Sequence, residues 1–523
     1  MKKLLNVIKI VVITAVFLCM STLAFASGID FKELPLQSDK SINKPWTVKF
    51  NLELDGNTIN STNVLVKSSS GKIMKTTISL GKDNKSLMIY PPVGGYIPGA
   101  VYSVELSTAV KSKDGKNLSK PTKMSFTTSK VYEDSTNYSG FPTINTIDIL
   151  EKPVLQNTKT SFKITPNFSG DIQYRIFLFK YSDETFDNPN TYVATPIYTE
   201  LTKGYTAAVS AVNPYTFVKE DGFEVGKYKI MVYVKSKGTV GQNKDGNTDY
   251  DNFYSTYFRV LSSNTLESSL NSIASTDSTI IPTIAYVSYD KSLDEAALAQ
   301  LNGAPVYSEG NSWIKPSKEL MKYYMDPNNF LDNTYKYKFL NLNYMDGVTE
   351  EDLNNILKGK GVLDGKGAVF LKAAKDSNIN PIYLVAHAFL ETGYGTSKLA
   401  TGILVSSVNG VKVEPKTTYN MFGINAFDSD PNKYGSERAY TGGWFSVDEA
   451  ILGGAKYIST DYINSEKYKQ NTIYKMRWNI TVSWHQYATD TGWARKQLAR
   501  VKFEELMSQI KSAKPVFEIP KYK

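Results

Sequence analysis

The chain has 523 residues, 41% of them hydrophobic and 21% charged, with 60 Lys and Arg against 51 Asp and Glu for a formal charge of +9. That length exceeds what one hydrophobic core supports and predicts about three domains. A single cysteine, Cys19, and two histidines, His387 and His485, exclude a disulfide framework, thiolate metal sites and a dense zinc cluster. G-x-S-x-G elbows and phosphate-cradling glycine motifs are also absent, so no metal, cofactor or nucleic-acid partner is expected.

Residues 1–26 combine lysines at the start, an apolar run over 10–20 and the A-x-A site Ala24-Phe25-Ala26. This pattern predicts a secretory signal peptide. A lipoprotein signal through Cys19 is the alternative, but Leu18 is bulky where a small residue should precede the modified cysteine. Past the leader no apolar run is long enough to span a bilayer, so no membrane span is expected after signal removal. Part of the positive charge lies in the leader, as Lys2, Lys3 and Lys9. The remainder suits attraction to anionic wall polymers, and suits equally a scattered surface charge that serves solubility, which is the preferred reading.

From Pro45, the apolar residues Trp46, Val48, Phe50, Leu52 and Leu54 alternate with polar ones up to the Asp55-Gly56 turn. The same rhythm returns in Val64/Val66, Leu87/Ile89, Tyr102/Val104/Leu106 and Met124/Phe126, with turn signals between. It predicts a β-sandwich over 27–130. The segments WTVKFNLELDGNTINSTNVLV, YPPVGGYIPGAVYSVEL and PTKMSFTT resemble the bacterial Ig-like domains of envelope proteins. Tyr228, Ile230, Val232 and Val234, then Tyr254, Phe258 and Val260, predict a second Ig-like sandwich over 131–262. Residues 263–280, rich in Ser, Thr and Asn, read as a linker.

Helical patterns dominate 281–523, at 294–301, 350–357, 367–377, 446–463 and 491–510, whereas 403–445 reads as an irregular or hairpin lobe. Between them, Asn380 and Pro381 open a helix with an apolar face of Ile382, Leu384, Val385, Ala388 and Phe389, stopped by Gly393 and Gly395. Glu391 falls in its last turn. Unsatisfied carbonyls and apolar neighbours there disfavour a carboxylate, so its pKa is expected to rise. A glycosidase acid must still be protonated near neutrality, which is what such a position supplies. His387, one turn earlier, is either a hydrogen-bond partner of Glu391 or a packed helix histidine.

The stretch NPIYLVAHAFLETGYGTSKLA resembles the signature of bacterial endo-β-N-acetylglucosaminidases of glycoside hydrolase family 73. YMDPNNFL, YNMFGINAFDSDP, AYTGGWFSVDEAILGGAKYI, NTIYKMRW and HQYATDTGWA follow the family too, over about residues 320–500. The resemblance implies a mainly α, lysozyme-like (α+β) catalytic domain after the two all-β Ig-like sandwiches, with a small β lobe, a cleft and Glu391 as catalytic acid. It implies a second group from the lobe, for which Glu437, Asp428 and Asp430 are candidates and Glu437 is preferred. The substrate's own acetamido group is the alternative nucleophile. Tyr474 is a further catalytic candidate, and His387, Asn420, Phe422, Tyr440 and Trp444 are candidate sugar contacts, although core packing is the better reading of Trp444. The expected function is an exported, noncovalently wall-associated autolysin acting on peptidoglycan glycan strands. Alternatives are a muramidase or lytic transglycosylase on the same fold, or a non-catalytic wall-binding adhesin.

Overall fold

The computed structural model describes residues 30–181, 197–246, 248–262, 282–309, 312–427 and 429–523, so the expected leader, the linker and Asp428 lie outside the described residues. The chain divides into two compact units, one of residues 1–130 with 244–249, the other of 131–243 with 250–523.

In the first unit, seven strands form two sheets. They are β1 (Lys32–Lys40), β2 (Trp46–Lys49), β3 (Val64–Ser68), β4 (Thr77–Leu80), β5 (Ser86–Tyr90), β6 (Val101–Leu106) and β7 (Thr122–Thr128), in the orders β1-β7-β6-β3 and β2-β5-β4. Residues from both sheets, including Trp46, Val64, Leu87, Ile89, Tyr102, Val104 and Phe126, share one core. The strand read from Trp46 stops at Lys49, and Leu52 is exposed while Leu54 is buried in an isolated bridge to Ser112, so the predicted long strand is one short strand and a single bridge.

The second unit begins with another β-rich region. Its strands are β8 (Thr143–Ile149), β9 (Val154–Leu155), β10 (Thr160–Asn167), β11 (Asp171–Lys180), β12 (Ile197–Glu200), β13 (Val209–Ser210), β14 (Tyr215–Lys219), β15 (Gly226–Ser236) and β18 (Asn252–Leu261), whereas the paired β16 (Asn243–Asp245) and β17 (Thr248–Tyr250) fall mostly within residues 244–249 of the first unit. Sheets β14-β10-β8 and β12-β11-β15-β18-β9 enclose a core containing Phe162, Ile164, Ile176, Tyr228, Ile230, Val232 and Phe258. Strand β15 is buried on both faces rather than one, the mark of a strand covered twice. On its second face Lys227 Nζ lies 5.0 Å from the Tyr181 and Tyr323 rings.

Tyr323 belongs to the helical region, whose elements are β19 (Thr283–Ser288), α1 (Leu293–Leu301), β20 (Tyr307–Glu309), β21 (Ser312–Ile314), α2 (Lys318–Met325), α3 (Glu350–Leu357), α4 (Gly367–Asp376), α5 (Pro381–Thr392), α6 (Lys398–Thr401), β22 (Ile403–Val408), β23 (Val411–Thr418), α7 (Pro431–Thr441), α8 (Val447–Ile458), α9 (Ile473–Arg477), α10 (Trp493–Arg500), α11 (Phe503–Ser508) and β24 (Val516–Lys521). Glu319 in the first turn of α2 is buried and accepts hydrogen bonds from Tyr254 Oη and Thr256 Oγ1 of β18, each at 2.7 Å. Arg259 pairs with Asp332 at 3.0 Å. Charged groups shielded from water and paired in this way tie the β region to the helices.

Strand β19 pairs in parallel with β24, Thr283 opposite Val516 through Ser288 opposite Lys521, so the first and last strands of the helical region meet. The expected helix over 491–510 is broken, because Lys502 takes a left-handed backbone (φ 50°) between α10 and α11. Val501 and Phe503 are both buried, and two residues apart on one helix they would point to opposite sides. The lobe read as irregular or hairpin contains the β22–β23 hairpin, closed by Asn409-Gly410 with positive φ at both, as a type I′ turn requires. It also contains α7, which begins at Pro431 behind an Asp430 cap.

Helix α5 is the centre of this region, with every residue from Pro381 to Phe389 buried. Buried Asn380 caps it, accepting from Ile382 N and Tyr383 N at 3.0 and 3.1 Å. Asn380→Ala leaves both donors unsatisfied inside the protein and is expected to destabilise the fold by about 1–2 kcal/mol, measured by thermal melting of the full chain.

Candidate active site

Glu391 emerges where α5 ends. Gly393 takes the left-handed conformation (φ 55°) and donates its N–H to Phe389 O, terminating the helix and leaving the Glu391 side chain at the edge of the buried core. The side chain is half-buried, and among the described residues none hydrogen-bonds or pairs with its carboxyl. Burial pushes its pKa up to about 7, against a smaller opposing pull from the Arg500 guanidinium. The rise expected from sequence is therefore present, and desolvation is its main cause.

Two tyrosines, Tyr383 and Tyr487, stand close enough to Glu391 for its charge to raise their own pKa values beyond the effect of burial. Both bind His387. Tyr383 Oη lies 3.2 Å from His387 Nδ1, and Tyr487 Oη lies 2.9 Å from His387 Nε2. Burial lowers the His387 pKa to about 4, so at neutrality the ring donates through one nitrogen and accepts through the other. Of the two readings of His387, the packed helix histidine holds rather than the hydrogen bond to Glu391, since both ring nitrogens are occupied by tyrosines. His387 orients the phenols beside the acid.

The lobe reaches the acid through Gly423. A Cβ built there would stand 2.7 Å from Glu391 Oε2, and its φ of +62° suits glycine. The neighbouring lobe residues are structural. Asn420 is buried, its Nδ2 donating to Ile424 O (2.9 Å) and Gly435 O (3.1 Å) and its Oδ1 accepting from Phe422 N and Ile424 N. The Asn420 amide is thus fully used in holding the lobe backbone. Phe422 and Trp444 are likewise buried, seated on Gly454 and Gly453 of α8, where any Cβ would collide with their rings. Tyr440 is half-buried and donates to Glu414 O at 2.9 Å.

Tyr474 lies deeper still. It is buried, donates to Met325 O at 2.7 Å, contacts Tyr522 Oη and packs on Phe339, so its hydroxyl is engaged inside the protein. Among the carboxylates, Asp430 Oδ1 caps α7 by accepting from Lys433 N. Glu437 is buried, and its Oε2 accepts from Asn409 N at 3.2 Å, holding the hairpin turn. Among the described residues no group of three or more His, Cys, Asp or Glu could hold a metal, and no helix is long and apolar enough to cross a membrane.

Sequence reasoning missed Tyr383, Tyr487 and Gly423. The first was legible, since 383, 387 and 391 recur every four residues along one helical face. The others approach only through tertiary folding.

Residues 367–505 match the family model for mannosyl-glycoprotein endo-beta-N-acetylglucosaminidase, and residues 35–128 match that for a bacterial Ig-like domain. The beta-N-acetylglucosaminidase of Bacillus subtilis is 35% identical over 364 residues, 69% of this chain and 38% of that protein. The bifunctional autolysin of Staphylococcus aureus is 42% identical over 214 residues, 40% of this chain and 17% of that protein. The crystal structure of S. aureus glucosaminidase B is 34% identical, covering 47% of this chain and 96% of its own, with a TM-score of 0.40. The chain thus spans well under half the length of these two curated relatives. The chain therefore carries a glucosaminidase domain, preceded by a bacterial Ig-like domain, and is homologous to these glycoside hydrolases.

Proposed function

We propose that this chain is an exported peptidoglycan hydrolase that cleaves the β-1,4 bond after N-acetylglucosamine, with Glu391 as general acid. The observation that carries the reading is the Glu391 carboxyl, half-buried, without an ion pair among the described residues and raised to about 7. Such a group keeps a substantial protonated fraction at neutral pH and can deliver its proton to a glycosidic oxygen. The family match and the names of the curated relatives support the substrate class. The helical core around α5 with the β22–β23 hairpin beside it supports a lysozyme-like arrangement of core and lobe.

Glu437 and Asp430 are engaged with backbone N–H groups of the lobe. With both of these described candidates engaged, we assign the second catalytic function to the substrate's acetamido group, which attacks the anomeric carbon as the leaving oxygen takes the Glu391 proton. Tyr487 and Tyr383 line the acid's side of the site and exclude water from it. The leader of residues 1–26 would direct export, residues 27–130 and 131–262 would act as β modules, and residues 281–523 as the catalytic domain. Wall turnover and separation of daughter cells are the roles that fit, with noncovalent retention on the wall.

Mass spectrometry of digested peptidoglycan tests the cleavage site. New N-acetylglucosamine reducing ends are expected. New muramic acid ends or anhydro products would instead identify a muramidase or a lytic transglycosylase and overturn the assignment.

A further inference from the structure

Aromatic rings continue from the acid toward the surface. Tyr487, bonded to His387, lies 5.1 Å from the Tyr462 ring, and Tyr462 lies 5.3 Å from His485. His485 stacks on Tyr468 with centroids 3.5 Å apart and planes 7° from parallel. Trp484 then stands edge-on to both, 5.8 Å from Tyr468 and 5.6 Å from His485, with 69% of its surface exposed. What marks the place is the contiguity of Trp484, Tyr468 and His485, since a connected exposed aromatic patch is informative where a lone exposed side chain is not.

The platform is held in place from below. His485 Nδ1 lies 2.7 Å from Oε1 of the buried Gln470, whose Nε2 donates to the carbonyls of Lys475, Met476 and His485. Asn479 Oδ1 accepts from Val482 N at 2.8 Å, bracing the same loop. Rings fixed before binding lose little freedom when a ligand stacks on them. Lys467 Nζ sits 5.0 Å from the Tyr468 ring and 5.8 Å from Trp484, placing a cation beside the apolar surface.

We infer that Trp484 and Tyr468, with Lys467 beside them, form a distal glycan subsite that takes a hexosamine ring bearing a carboxylate. The ring's C–H face packs on the indole, and the carboxylate of its lactyl or peptide substituent pairs with the lysine. A muramic acid unit of the same strand whose scissile bond lies at Glu391 has this chemistry, and the unbroken ring path connects the two places. The inference rests on the peptidoglycan reading above and extends it from the bond cut to the length of strand held.

Binding of the full chain to purified peptidoglycan sacculi, by sedimentation over minutes at 4 °C in a Glu391→Gln background, tests it without turnover. Trp484→Ala is expected to weaken apparent affinity roughly three- to tenfold, with Trp484→Phe retaining most of it. Lys467→Gln should remove part of the salt dependence of binding. Unchanged binding by Trp484→Ala overturns the subsite. So does an equal loss in Trp484→Phe, or a fall in melting temperature in Trp484→Ala that accounts for its loss. Because binding is read before cleavage, residual hydrolysis by the Glu391→Gln chain would refute the catalytic assignment while leaving this result readable.

Discussion

Glu391→Gln is expected to reduce clearing of wall suspensions by about 10²–10⁴-fold while leaving sedimentation with sacculi unchanged. Glutamine keeps the shape of the side chain and removes the transferable proton, so the loss isolates the acid. Equal clearing by mutant and wild type would show that catalysis resides elsewhere, and a wild type that clears nothing would favour a wall-binding role. The pH dependence follows from the same group. With its pKa near 7, the protonated fraction of Glu391, and with it the rate, should fall about tenfold per pH unit above that value. Stability runs with the same sign. The folded pKa lies above the ordinary carboxylate value of 4.5, so the native state binds more protons than the unfolded chain between about 4.5 and 7, and stability declines as pH rises through that window. Glutamine removes the decline. The mutant should melt above wild type at pH 8 and alongside it at pH 4.

The acid and its helix were legible in the sequence because every determinant is local. Asn380 caps, Pro381 occupies the first turn, and Gly393 supplies the left-handed stop, so the place of Glu391 follows from spacing alone. Period-two runs such as residues 228–234 marked strands equally well, since alternation needs no partner to be seen. Burial of both faces of β15 was not legible, because it depends on α2 covering the sheet through Glu319 and Tyr323.

The same distinction separates the site residues. Asn420, Phe422 and Tyr474 lie in family-like segments and carry side chains that suit sugars, yet their polar atoms or ring faces are consumed inside the protein. Residue type states what a side chain can bind, whereas burial decides whether a ligand can reach it. Tyr487 shows the converse: nothing in its neighbourhood in sequence points to Glu391, and only the path of the chain after α9 brings it to His387, 100 residues earlier. The break at Lys502 belongs with these, because it arises from two nearby side chains both seeking one core.

Gly423→Ala is expected to lower kcat by on the order of 10²-fold with little loss of fold, because it displaces the acid rather than removing it. The new methyl would lie 2.7 Å from Glu391 Oε2, closer than the two atoms can approach, and the group that must move is the end of the glutamate itself. Alanine at a φ of +62° adds about 1 kcal/mol of backbone strain, a small fraction of the stability of a folded unit. The carboxyl therefore swings away from the lobe and toward water. Better solvation favours its ionised form, so the alkaline limb of the rate profile should move below 7 in the variant. A melting curve close to wild type, a depressed kcat and a shifted limb together identify displacement of the acid. If the limb stays in place while kcat falls, the alanine obstructs the sugar instead, and contact between Gly423 and Glu391 is not what sets the proton affinity of this site.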